Sequence, residues 1–426
     1  MEPSLADLAA PIPVRRRSRR STTLAGARLA EQGALAACLA LLALRLPVAE
    51  FGVVSLVVSF QAAAVALSDH GLGLAVLSVA PGEHVRRAHL DACRRRGALV
   101  VTAAVSVAAG LALTDHEGTA LVVLAGAALW AASAEAYVRK SAALRLGQVR
   151  VVARTEVAAS AVFLAIVALA AHPGHAAVAV ALAFAAKSVL EILPFGAVVA
   201  RTFADDGHEA TPGWILGTQV VAFAIANLDY LVVALLLGDR ALGLYGLAFR
   251  AASALPMQLN AVLVRLGTLD LAAADGVDRP DALGRLVRRL LLLGTAFGAL
   301  GALLSPLVGP VLGDRWADAA PLMVPLFLAT PWRLLLPLVG IHALVEGRAR
   351  ALFTVELVRL AVMAAALLAG ASIGLQGVAV AGSLAMLVTT YGFFAWSSIR
   401  PSGAPHRFLA ASALVGAAAI SIGALL

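Results

Sequence analysis

The chain has 426 residues, of which 61% are hydrophobic and only 14% charged. Soluble domains run at roughly 45–50% apolar and about 25% charged residues, so this composition excludes a soluble globular protein and indicates an all-α polytopic membrane protein. The net charge of +8 does not indicate a nucleic-acid partner, because the arginines cluster in short loops between apolar runs, the pattern that orients membrane proteins.

A membrane span needs about 20 largely apolar residues. Such runs predict helices over 24–45, 51–78, 97–114, 119–139, 151–171, 175–200, 213–237, 242–266, 288–312, 319–343, 351–371, 376–398 and 407–426. That gives thirteen spans, or twelve if the last run is not one. Arg15, Arg16, Arg17, Arg19 and Arg20 precede the first run like the basic end of a signal peptide. The run that follows is long, carries Arg28 and Glu31 and leads straight into a second span, so it reads as a retained first helix with the N-terminus in the cytoplasm. With that start, 27 of the 33 Lys and Arg fall in or beside cytoplasmic segments. Only Arg45, Arg240 and Arg315 fall outside, and Lys187, Arg250 and Arg333 remain within the apolar runs. The expected organisation is a basic tail 1–23, an N-lobe 24–200 of helices one to six, a linker 201–212, a C-lobe 213–398 of helices seven to twelve, and an extra helix 407–426. The acidic–basic loop 267–287 reads as a solvated connector. Cys38 lies in an apolar run and Cys93 in a basic loop, so no disulfide is expected.

Residues 43–56, ALRLPVAEFGVVSL, align without a gap onto 234–247, ALLLGDRALGLYGL, keeping Gly52 in register with Gly243. The helices before these two turns are numbers one and seven. An offset of six preserves orientation in the membrane, which predicts a parallel repeat of two six-helix lobes with a substrate site between them near the midplane.

Each Arg, Lys or Asp at a span centre costs roughly 2.5–3.5 kcal/mol on insertion scales and is expected to face a bundle interior or a wet cavity. Lys187 and Glu191 stand four apart, so they either pair on one helix face or contact substrate. Glu356 and Arg359, three apart, are expected to pair or snorkel, and Glu135 to pair with Arg139. Arg28 and Glu31 pair or line the inner mouth. Asp229, Arg250 and Arg333 have no oppositely charged neighbour in sequence. Asp229 and Arg250 sit on a predicted hairpin and are expected to face each other across it. Arg333 lies between Pro331 and Pro337, in a run that also holds Pro321 and Pro325. Prolines free backbone carbonyls and favour kinks, so Arg333 either bonds those carbonyls or contacts an anionic group from a mobile helix. Asp69 ends the second apolar run, beside Gly71 and Gly73, which read as packing or turn residues.

No Gly-Lys dipeptide occurs, so there is no phosphate-binding loop of the ATP-driven kind. No Cys/His cluster has metal spacing, and no cofactor is expected. The first outer loop offers one acid, Glu50, and no acidic pair, which counts against a membrane-embedded glycosyltransferase. No outer loop has the size a polymerase needs.

The turn LPVAEFGVVSL with the later SDHGLG, and the segment Asn227-Leu228-Asp229-Tyr230-Leu231 followed by Leu237-Gly238 and Ala241 to Arg250, resemble the polysaccharide/oligosaccharide-lipid flippases. These belong to the multidrug/oligosaccharidyl-lipid/polysaccharide exporter superfamily. The resemblance implies two six-helix lobes around a central, often cationic cavity, working by alternating access in the cytoplasmic membrane. It implies a lipid-linked oligosaccharide with a pyrophosphate head as substrate, in surface polysaccharide biosynthesis. Membrane lipid, a polysaccharide polymerase and glycosyltransferases are the implied partners. Asp69, Asp229 and Arg250 match motif positions; Lys187, Arg333 and Arg28 are nominated on charge alone. The expectation is thus Arg250, Arg333, Lys187 and Arg28 for substrate, and Asp69, Asp229 and Glu191 for ion coupling or gating. The family usually has twelve or fourteen helices, so thirteen is a departure. The alternatives are an ion-coupled multidrug exporter of the same superfamily, a membrane-embedded glycosyltransferase or polymerase, and a scaffold without transport.

Overall fold

The structure is a computed structural model, and it describes residues 14–67, 72, 76, 84–112, 117–206, 213–273, 279–345 and 348–396. Helix α1 runs Val14–Arg45. It begins well before the first apolar run, because Arg and Ala are good helix formers and carry the helix past the end of its apolar stretch. Helix α2, Val48–Leu67, follows at once. Pro47 has no N–H to donate but its carbonyl accepts from Phe51 at 3.1 Å, closing the first turn. The chain then forms α3 (Arg87–Ala112), α4 (Glu117–Arg145), α5 (Val149–Ala170), α6 (Ala176–Ile192) and the short α7 (Gly196–Thr202). The helix-three and helix-four runs likewise extend through charged residues into longer helices than the apolar stretches alone define. Asp69 and the whole run 407–426 lie outside the described residues.

Contacts group the described residues into two compact units, one drawn from Met1–Leu46 and Leu56–Gln219, the other from Pro47–Ser55 and Val220–Leu426. In the first, α4 packs on α3 and α6, α5 on α6, and α1 on α5. Two-residue strands β1 (Val85–Arg86) and β2 (Phe203–Ala204) pair in parallel. They tie the segment before α3 to the segment after α7 over a core that includes Val85, Leu90, Phe195 and Phe203.

The second unit contains most of α8, Gly213–Ala273, which is two helices joined at Gly238. Gly238 has φ 85°, a left-handed conformation that glycine adopts without steric cost. The break falls where the sequence separates helices seven and eight. Helices α9 (Arg279–Leu304), α10 (Val308–Leu312), α11 (Ala320–Leu328), α12 (Thr330–Val345), α13 (Ala349–Ala371) and α14 (Leu375–Trp396) follow. Helix α9 packs on α11 and α12, and α13 on α14, around Leu291, Trp332, Leu335, Leu338 and Phe394.

The proline-rich run is bent by 41° between α11 and α12. Pro331 has no N–H to offer the carbonyl four residues back, that of Phe327. Gly298 of α9 covers this carbonyl so closely that a Cβ there would stand 2.5 Å from the oxygen. Gly294 approaches Pro331 in the same way, and Gly301 faces the Phe327 ring. The kink is therefore held by a helix whose backbone fits against it.

Among the described residues, six helices are long and apolar enough to cross a membrane, and a seventh if the bent pair is one span. Large apolar side chains lie on the outside, with Leu235 79% and Ile373 84% exposed, as lipid contact requires. The chain is a multi-pass, all-α membrane protein.

Candidate functional site

The second unit gathers three of the nominated polar residues. In the second leg of α8, Tyr245, Phe249 and Ser253 stand four apart and therefore share one face. Tyr230, in the first leg, completes a ring cluster. It packs edge-to-face on Tyr245 at 5.9 Å and on Phe249 at 5.3 Å, while Tyr245 and Phe249 stack at 5.9 Å.

Both arginines lie against these rings. The Arg333 guanidinium sits 4.6 Å from the centre of Phe249 and donates through Nη1 to Ser253 Oγ at 2.8 Å. The Arg250 guanidinium sits 5.6 Å from the centre of Tyr230 and donates through Nη2 to the Ser55 carbonyl at 2.6 Å. A guanidinium over an aromatic face is stabilised by the ring quadrupole without committing all five of its donors. Arg333 Nε and the Tyr230 hydroxyl are buried with no hydrogen-bond partner among the described residues.

Asp229 is buried and accepts the Tyr245 hydroxyl and the Tyr230 amide, both at 2.8 Å. The expected pairing of Asp229 with Arg250 across the hairpin does not form, because Tyr245 supplies the donor that the carboxylate needs and Arg250 turns to Ser55. Nor does Arg333 bond carbonyls freed by the prolines; a hydroxyl and a ring of α8 take it. No local pattern marks the Tyr230, Phe249 and Ser253 contacts, because their partners lie far along the chain.

A second constellation lies in the first unit. Lys187 Nζ contacts Glu191 and Glu31, each at 2.7 Å. Glu191 also contacts Lys140 at 2.8 Å, and Lys140 lies 3.6 Å from Glu156. The expected Lys187–Glu191 pair is thus part of a buried chain of charges on α1, α4, α5 and α6. Lys187, nominated for substrate, is engaged by two carboxylates. Local spacing does not point to Glu31 as a partner of Lys187, nor to Lys140 and Glu156 as further members of the chain. Arg28 lies in α1, but its side chain is outside the described residues, as is Asp69.

The remaining expected pairs form. Arg359 donates to Glu356 at 3.3 Å. Glu135 binds Arg139 at 2.7 Å and also Arg94 at 2.6 Å, and its hydrogen bond raises the Arg94 guanidinium further above its ordinary range. Neither Cys38 nor Cys93 is in a disulfide. The two glycines of the internal echo meet: a Cβ on Gly52 would lie 2.8 Å from the Gly243 nitrogen, and one on Gly243 would overlap the Val48 carbonyl.

A family described as "Polysaccharide biosynthesis protein" matches residues 210–321, the stretch that holds Asp229, Tyr245 and Arg250. No curated protein matches the sequence significantly. A solved structure entitled "Lipid II flippase MurJ, inward closed conformation" is similar at 13% identity and TM-score 0.64, over 95% of this chain and 97% of that one. A structure of MATE in the straight conformation is similar at 14% identity and TM-score 0.57, over 94% and 99%. A multidrug resistance MATE family transporter of the MOP superfamily, inward-facing, is similar at 12% identity and TM-score 0.53, over 90% and 94%. The chain therefore has the fold that the lipid II flippase and MATE structures share, and over residues 210–321 it matches the model of the polysaccharide biosynthesis proteins.

Proposed function

We propose that the protein is a flippase that carries a lipid-linked oligosaccharide with a pyrophosphate head across the cytoplasmic membrane by alternating access, in surface polysaccharide assembly. One observation carries this reading: Arg333 and Arg250 are held on one aromatic cluster whose one carboxylate among the described residues, Asp229, is already satisfied by a hydroxyl and an amide. The cluster is left with excess positive charge in an apolar setting. A lipid head crossing the membrane must lose water and countercharge, and guanidinium forks replace both, while the lipid tail stays in the bilayer. The polysaccharide family match and the fold of the lipid II flippase support the same substrate class. In this reading the protein transports without catalysing a reaction. Its N-terminus is cytoplasmic, and it works beside glycosyltransferases and a polymerase.

The test is a deletion strain complemented with wild-type protein, Arg333→Ala or Arg250→Ala, assayed for lipid-linked oligosaccharide and surface polymer at matched protein level. Loss of polymer with accumulation of the cytoplasmic-side intermediate is expected for the deletion and for both variants. Normal polymer in the deletion strain overturns the flippase assignment, and normal polymer in both variants removes the arginines from it.

A second reading is an ion-coupled multidrug exporter. The similarity to MATE structures and the buried carboxylates Glu156 and Glu191 favour it. Drug sensitivity with unchanged glycans in the deletion strain would select it.

A further inference from the structure

The first unit has a groove that the transport reading does not use. It encloses about 430 Å³ between α3 and α4. Its walls are small residues (Gly97, Ala98, Ala131 and Ala134), and its mouth holds Arg94, Glu135 and Arg139. Glu135 takes both guanidiniums: Arg94 donates through Nη2 at 2.6 Å and Nε at 3.2 Å, and Arg139 through Nε at 2.8 Å. A carboxylate offers about four lone-pair sites and each guanidinium five donors, so donors remain. Arg95 and Arg96, next in the chain, are exposed. With Asp91 included, the arginines of this cluster still outnumber the acids.

The surface of α3 beyond the mouth is apolar. Val105, three turns on from Arg94 and on the same side of the helix, is 49% exposed. The hydroxyls on that face turn back into the helix, Thr102 to the Ala98 carbonyl at 2.9 Å and Ser106 to the Thr102 carbonyl at 3.1 Å. A hydroxyl bonded to its own backbone presents carbon outward, which suits contact with lipid. A basic recess at the arginine-rich end of a span, continuous with an exposed apolar helix face, has the two halves that a charged lipid needs.

We propose that this groove binds the headgroup of an anionic phospholipid, its phosphodiester held by Arg94 and Arg139 and its acyl chains lying along the side of α3 that carries Val105. Basic pockets between spans on the cytoplasmic side attract anionic headgroups, and Arg forks match phosphate oxygens. The proposal is independent of the flippase reading and survives its failure.

The test is native mass spectrometry of the detergent-purified full chain with dioleoyl-phosphatidylglycerol or dioleoyl-phosphatidylcholine. Wild-type protein should retain phosphatidylglycerol with a preference of about tenfold or more, and Arg94→Gln with Arg139→Gln should abolish that preference. Arg94→Gln alone, at a side chain 43% exposed, keeps the test usable if the double variant does not fold, and should weaken retention. Equal retention of the two lipids by the wild type, or unchanged preference in the variants, overturns the proposal. Two competitors identify the source of the phosphate. A polyprenyl diphosphate that displaces the phospholipid at equal concentration assigns the groove to the carrier lipid instead. Inorganic phosphate doing so makes it a site for the free anion. Either displacement overturns the phospholipid assignment, and failure of both upholds it.

Discussion

Replacing Gly243 by Ala tests the contact between the two echoed turns. A Cβ on Gly243 would overlap the carbonyl of Val48, and one on Gly52 would stand 2.5 Å from the carbonyl of Asp239. The obstacles are backbone atoms, which cannot rotate aside as a side chain can. To restore ordinary contact the start of α2 and the second leg of α8 must separate by on the order of 1 Å, and overpacking of this kind costs about 1–3 kcal/mol or more. The same separation would pull Ser55 from Arg250, which are joined at 2.6 Å, so the candidate site loosens with the packing. Gly126 of α4 is the control, since nothing lies within 4 Å of its would-be Cβ. There Ala is the better helix former by about 1 kcal/mol. Thermal unfolding in detergent, followed with a thiol-reactive dye that reports exposure of the buried Cys38 and Cys93, should give a lower midpoint for Gly243→Ala and an equal or higher one for Gly126→Ala. Equal midpoints for Gly243→Ala and wild type, or the reverse order of the two variants, would refute the close approach.

Tyr245→Phe removes the hydroxyl that serves buried Asp229 and should cost roughly 1–3 kcal/mol, read as a lower unfolding midpoint that Asp229→Asn does not lower further. Lys187→Met leaves Glu31 and Glu191 without their shared cation, and breaking a buried pair costs about 3–5 kcal/mol. Little monodisperse protein should be recovered by size-exclusion chromatography, whereas Lys187→Arg should be recovered normally. Arg333→Lys keeps the charge but loses the planar fork over Phe249, and surface polymer should fall between the wild-type and Arg333→Ala levels at equal expression.

Composition and charge placement determined much of this protein. With 61% hydrophobic residues, the chain had to be a membrane helix bundle, because no soluble core could bury that much apolar side chain. The apolar runs located the spans, but not the helix ends. Arg, Glu and Ala propagate a helix whether or not lipid surrounds it, so α1 begins at Val14 and α4 continues to Arg145. Local pairs were legible because a helix brings residues three or four apart together, as with Glu356 and Arg359 or Glu135 and Arg139. The prolines announced a break near Arg333, since a missing N–H is a property of the residue itself.

Only the tertiary structure decided which distant groups complete each charge. Asp229 is satisfied by Tyr245 rather than Arg250, Arg333 by Ser253 and Phe249, and Lys187 by Glu31 as well as Glu191. A buried polar atom must find a partner, so the sequence could say that these residues needed one. Which donor or ring stood within reach depended on how helices far apart in the chain pack side by side, and no local pattern records that.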